Sequence, residues 1–126
     1  MGVLLTDLSN EEHSKTCNWW NWRPTLTLIS TLKLLDAERL DLMGYNAGAE
    51  VSQAEAQAIA SFLEARVLPL LSENQRVLLN GSRTTEPDDG TFYEEPSEMY
   101  KNYSTSLDWL SEFAQFCREC GGFSVW

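Results

Sequence analysis

The sequence predicts a mainly α-helical, single small domain, and three observations carry that expectation. Leu28, Ile29, Leu32 and Leu35 recur at helical spacing behind Pro24. Ser52 and Glu55 stand at capping-box spacing before an Ala-rich run. Leu107, Leu110, Phe113, Ala114 and Cys117 fall on one face of a segment closed by Gly121-Gly122. A chain of 126 residues is the size of one domain, spanning 1–126, with about three main helices.

The elements follow in order. Val3 to Leu5 suit a short edge strand. Ser9 and Glu12 have capping-box spacing and predict a turn of helix carrying His13. Pro24 is placed in the first turn of the first main helix, where its missing N–H costs nothing. Alternation in Thr25-Leu26-Thr27-Leu28 favours a strand, but the later spacing agrees with the helix. Gly44 to Gly48 form a turn. The second main helix opens at Ser52 with Ile59, Phe62, Leu63 and Leu70 on its apolar face, and Pro69 ends it near Leu68. A short helical piece resumes at Glu73 and is capped by Asn80-Gly81. Residues 82–103 read as an irregular acidic loop, punctuated by Pro87, Gly90 and Pro96. The third main helix begins near Thr105. Phe123-Ser124-Val125-Trp126 alternates like a brief strand, which leaves room for a short two-stranded edge built from the termini. Phe123 or Trp126 is expected to dock on the core.

Charge narrows the function classes. The chain has 19 acids against 9 bases and a net charge of −10. So few bases argue against direct nucleic-acid binding, which needs phosphate neutralisation. The same charge argues against an anionic membrane and steers a basic partner inward. Near Met1 there is no basic stretch followed by a long apolar run, so no signal peptide or membrane span is expected. Three cysteines do not make a disulfide framework, and a reducing cytoplasm fits them.

Four groups of residues bear on chemistry. His13, Cys17, Cys117 and Cys120 spell a Cys3His set that zinc accepts. Against it, Cys117 lies on the apolar face of a predicted helix, where free Cys is a small hydrophobe. The Cys-x-x-Cys pair sits at a helix C-terminus beside Glu119, which disfavours a thiolate. The chain has no Gly-x-Ser-x-Gly elbow, Walker loop or His-Glu-x-x-His, and only one His. Trp19, Trp20 and Trp22 with Arg23 offer a stacking surface, although at least one Trp is expected to anchor the core. Glu86, Asp88, Asp89, Glu94, Glu95 and Glu98 stand without a base between Thr84 and Tyr100.

These features predict an acidic binding protein of the immunity or inhibitor type, without cofactor or catalytic residue, that masks a basic surface on a partner protein. Trp19, Trp20, Trp22, Arg23 and the six carboxylates are its expected contacts. Two alternatives stand beside it. One is a zinc-stabilised small module. The other is a small ligand-binding protein or hydrolase using Arg23, Tyr45 and loop carboxylates.

Three segments carry a family likeness. They are Asn18-Trp19-Trp20-Asn21-Trp22-Arg23-Pro24, Tyr45-Asn46-Ala47-Gly48-Ala49-Glu50-Val51-Ser52, and Phe113 to Cys117 closing on Gly121-Gly122-Phe123-Ser124-Val125-Trp126. Together they resemble a family of small bacterial proteins to which no activity is attached. The resemblance implies a bacterial-type cytosolic protein and carries no chemistry. Cys120 departs from the pattern.

Overall fold

A computed structural model describes residues 2–86 and 92–126. It corrects the mainly α expectation: the fold is α+β, with two antiparallel sheets packed among the helices. The four-stranded sheet has the order β2-β1-β7-β3. Its strands are β1 (Gly2–Asp7), β2 (Asn10–Asn18), β3 (Ala49–Ser52) and β7 (Gly122–Val125). The three-stranded sheet has the order β5-β4-β6, from β4 (Arg76–Leu78), β5 (Arg83–Thr84) and β6 (Ser104–Ser106). Four α-helices are described: α1 (Trp19–Thr31), α2 (Ala37–Met43), α3 (Gln53–Phe62) and α4 (Leu107–Glu119). None is long and apolar enough to cross a membrane.

The terminal strands are central in their sheet, not an edge. Leu5 pairs with Val125 and Asp7 with Phe123. β1 buries Val3, Leu5 and Asp7 and turns Leu4 outward, the period of two that a half-buried strand requires. The predicted turn of helix at Ser9–Glu12 is instead the β1–β2 turn and the start of β2. Ser9 Oγ donates to Asp7 Oδ1 at 2.7 Å, and Asn10 Oδ1 accepts from the Glu12 N–H at 3.1 Å. These are the local bonds by which Ser, Asp and Asn favour turns. β2 turns His13, Lys15 and Cys17 inward, half-buried, and leaves the intervening residues wet.

α1 starts five residues before Pro24. Asn18 caps it, accepting from the Asn21 N–H at 2.8 Å. Pro24 therefore lies inside the helix and cannot donate to the Trp20 carbonyl. The β-branched residues behind it are reconciled with helix by their hydroxyls. Thr25, Thr27 and Thr31 each donate to a carbonyl three or four residues back. Lys33, at φ 55°, breaks the predicted long helix, and Asp36 caps α2 by accepting from the Arg39 N–H at 2.7 Å. α3 has the full capping box between Ser52 and Glu55. Glu55 also accepts both guanidinium ends of Arg39, tying α2 to the start of α3. Burial alone would raise the Glu55 pKa, but Arg39 and Ser52 outweigh it and hold it below the usual range.

Ahead of Pro69 the helix widens into one π turn over Leu63–Val67 and ends in a 3-10 turn. The expected helical piece after Glu73 is absent. Asn80-Gly81 is the turn of the β4–β5 hairpin, with Gly81 at φ 86° and the Leu78 N–H donating to the Ser82 carbonyl.

α3 packs on α4, β7 and β3, and α4 sets Phe113 and Phe116 against Phe123 of β7. At the centre Phe113 meets three aromatics. Trp22 is edge-on at 5.6 Å, Trp109 is stacked at 5.7 Å, and Phe123 is edge-on at 6.1 Å. The buried indoles are satisfied: Trp22 Nε1 donates to the Met43 carbonyl at 2.9 Å and Trp109 Nε1 to Thr25 Oγ1 at 3.0 Å. Ile59, Leu110 and Cys117 are core, whereas Phe62 is only half-buried and Leu63 takes the inner place. Gly122 permits the sharp passage from α4 to β7. Its φ is 94°, and a Cβ there would lie 2.6 Å from the Val51 carbonyl oxygen.

Candidate functional site

The Trp-rich segment divides by burial, because consecutive helical positions point about 100° apart. Trp22 is fully buried and belongs to the core, so it leaves the set of expected contacts. Trp19 is half-buried and lies under Arg23, whose guanidinium carbon is 5.4 Å from the indole centroid. Trp20 is 46% exposed and leans on Tyr103 at 4.8 Å.

Beside them opens a cleft of about 310 Å³ between α1, α2 and the β4 and β6 ends. Arg23, Asp41, Tyr45 and Tyr103 give it polar groups, and Leu26 and Leu40 form its floor. Tyr45 is 60% exposed. Arg23 and Tyr45 thus line one cleft. The carboxylate that joins them is Asp41, and among the described residues no loop carboxylate lines the cleft. Tyr103 and Asp41 could not be placed there from sequence, since neither stands near Arg23 along the chain. Among the described residues the cleft offers a planar cation, two phenols and one carboxylate beside Leu26, Leu40 and Leu79.

Among the described loop carboxylates Glu98 is opposed, by Lys101 at 3.3 Å, while Arg76 Nε donates to the backbone carbonyl of Glu86 at 3.0 Å. Glu94 and Glu95 are exposed. Asp88 and Asp89 lie outside the described residues.

His13 belongs to a different arrangement from the Cys3His set. Its Nδ1 is 2.7 Å from Oδ2 of Asp7, which is only 3% exposed. Asp7 Oδ1 accepts from Ser9 and from the Gly121 N–H at 3.0 Å. Burial raises the Asp7 pKa, but the bonds from His13, Ser9 and Gly121 overcome it and hold the carboxyl well below the usual range. The His13 ring rests on Phe116 at 4.9 Å. Asp7 was missed by motif reading, yet it had a signal: an acid at the third inward position of the alternation Val3, Leu5, Asp7 must be paired if it is buried.

Among the described residues no three His, Cys, Asp or Glu side chains are arranged to hold a metal ion. The thiols are not activated either. Burial pushes Cys17 up to about 12, Cys117 well above the ordinary thiol value, and Cys120 upward as well.

No family model, curated protein or solved structure matches this chain.

Proposed function

We propose that this chain is an acidic binding protein of the inhibitor type that masks a basic surface on a partner protein, with the Trp20–Tyr103–Tyr45–Arg23 face as its docking centre. The observation that supports this is the pair of exposed aromatics, Trp20 and Tyr45, flanking a cleft on a molecule of net charge −10. Trp, Tyr and Arg are the residues that dominate binding energy at protein interfaces. Apolar contacts supply affinity there, and the net charge supplies approach and partner choice. Asp41 within the cleft suits a Lys or Arg side chain of the partner. Exposed Glu94 and Glu95 add to the steering field. A reducing cytoplasm is the compartment that suits three unpaired thiols.

The test is capture of a partner by the tagged full-length chain from its own host, followed by elution in a salt gradient. A basic protein released at moderate salt is expected, because exposed charge is screened within about 8–10 Å at physiological ionic strength. Trp20→Ala with Tyr45→Ala should weaken that partner's affinity by about 2 kcal/mol or more, roughly thirtyfold. Equal retention by the double variant, or an acidic captured protein, sinks the reading.

A further inference from the structure

A second cleft, of about 190 Å³, opens where α1, the π and 3-10 turns and the β4–β5 hairpin meet. Leu28, Val67, Leu71 and Val77 make its apolar lining, and Arg66 and Arg83 add two cations. Among the described residues no carboxylate lines it, whereas the cleft beside Trp20 holds Asp41.

The fold brings the two guanidinium groups to one side. Leu63, Val67 and Leu71 are buried at intervals of four. Arg66 and Leu70 each stand one position before an inner residue, so they share a flank of this turn. Leu70 is 60% exposed there. In the hairpin Arg83 pairs with Val77, and directly opposed residues send their side chains to the same face. Arg83 Nη1 then donates to the Leu70 carbonyl at 2.8 Å, which fixes its fork beside Leu70. Neither Arg66 nor Arg83 is ion-paired with a carboxylate among the described residues. Gly81, also on the lining, has φ 86°, and a Cβ there would meet nothing within 4 Å, so the hairpin turn leaves the mouth open.

An apolar trough with cations at its rim suits a chain that is apolar along its length and anionic at its end. The trough is smaller than the about 300–1,000 Å³ of ordinary ligand pockets, so it admits a short chain and not a fused ring system. Two guanidinium groups match the two oxygens of a carboxylate. A phosphate would bring a third oxygen, and Leu, Val and Gly offer no side-chain donor for it. We propose that this cleft binds a short aliphatic carboxylate, with Arg66 and Arg83 on its oxygens and its chain along Val67, Leu71 and Val77 under the flank of Leu70. The site lies apart from the Trp20–Tyr45 face and does not rest on that face docking a protein.

The experiment is an amide NMR titration of the full chain with octanoate, 1-octanol and acetate at constant ionic strength. Octanoate is expected to give saturating shifts over Arg66 to Leu71 and Val77 to Arg83. Acetate, which lacks the chain, should not saturate, and 1-octanol, which lacks the charge, should bind about tenfold more weakly than octanoate. Arg66 and Arg83 are exposed, so Arg66→Gln and Arg83→Gln keep the fold. Each should weaken octanoate about tenfold and leave 1-octanol unchanged. Linear shifts with octanoate, equal affinity for 1-octanol, or wild-type octanoate affinity in both variants overturns the proposal. An acetylated peptide ending in Leu-Leu that binds more tightly than octanoate would give the cleft to a chain terminus, and shifts that depend on protein concentration before any addition would give it to a second copy. Either result also overturns it.

Discussion

Phe113→Ala is expected to lower the unfolding free energy by about 3–5 kcal/mol. Phe113 is fully buried where α4, α1 and β7 converge, and it touches Trp22, Trp109 and Phe123. Removing the ring deletes apolar burial and three aromatic contacts at once. Trp22 and Trp109 cannot move in to fill the space, because each indole is tied by a hydrogen bond, to Met43 and to Thr25. The cavity therefore stays open, which is the condition for the upper part of that range. A domain of this size has about 5–15 kcal/mol in total, so the variant should melt far earlier. Urea denaturation followed by tryptophan fluorescence measures it. A loss below about 1 kcal/mol would mean that the aromatic centre is not packed as described.

Asp7→Ala is expected to cost roughly 3 kcal/mol at neutral pH, because it strands His13, Ser9 and the Gly121 N–H around an empty site. The same carboxylate gives wild type an acid-sensitive component of stability. Its folded-state pKa is depressed below the unfolded value, so the unfolded state binds the proton more readily. The contribution is complete above the unfolded value of 3.8 and is lost as the pH falls below it toward the folded-state value. Wild type should therefore lose stability between about pH 4 and pH 2 more steeply than Asp7→Ala does. Denaturant melts across that interval compare the two slopes. Parallel curves would show that the Asp7 cluster does not carry this dependence.

What the sequence made legible follows from which interactions are local. α3 and α4 announce themselves, since a capping box and a helical stripe lie within a few turns of chain. β2 does not. Its inward residues are His13, Lys15 and Cys17, a polar and thiol set that no hydrophobic alternation reveals. β4, β5 and β6 are two or three residues long, too short for a periodic signal, and Asn-Gly serves equally as helix cap or hairpin turn. Of the strands only the terminal pair was legible, from Val3 to Leu5 and Phe123 to Trp126, while β3 and β6 take partners distant in sequence. The same holds for the clefts. Arg23 and Tyr45 draw notice on their own, while Asp41 and Tyr103 join them only through folding.

The pairing of β1 with β7 in the middle of a sheet has a kinetic consequence. Closing the whole chain into a loop costs entropy before any contact repays it, so this ladder forms late. During synthesis β1 and β2 emerge first and can join as a hairpin, but the inner edge of β1 has no partner until β7 leaves the ribosome. Val3 and Leu5, buried in the finished molecule, face water throughout that interval. An unpaired apolar strand edge is a template for another chain. Folding of this protein is thus a race between its own last strand and a neighbour's first one, and crowding nascent chains together favours the neighbour.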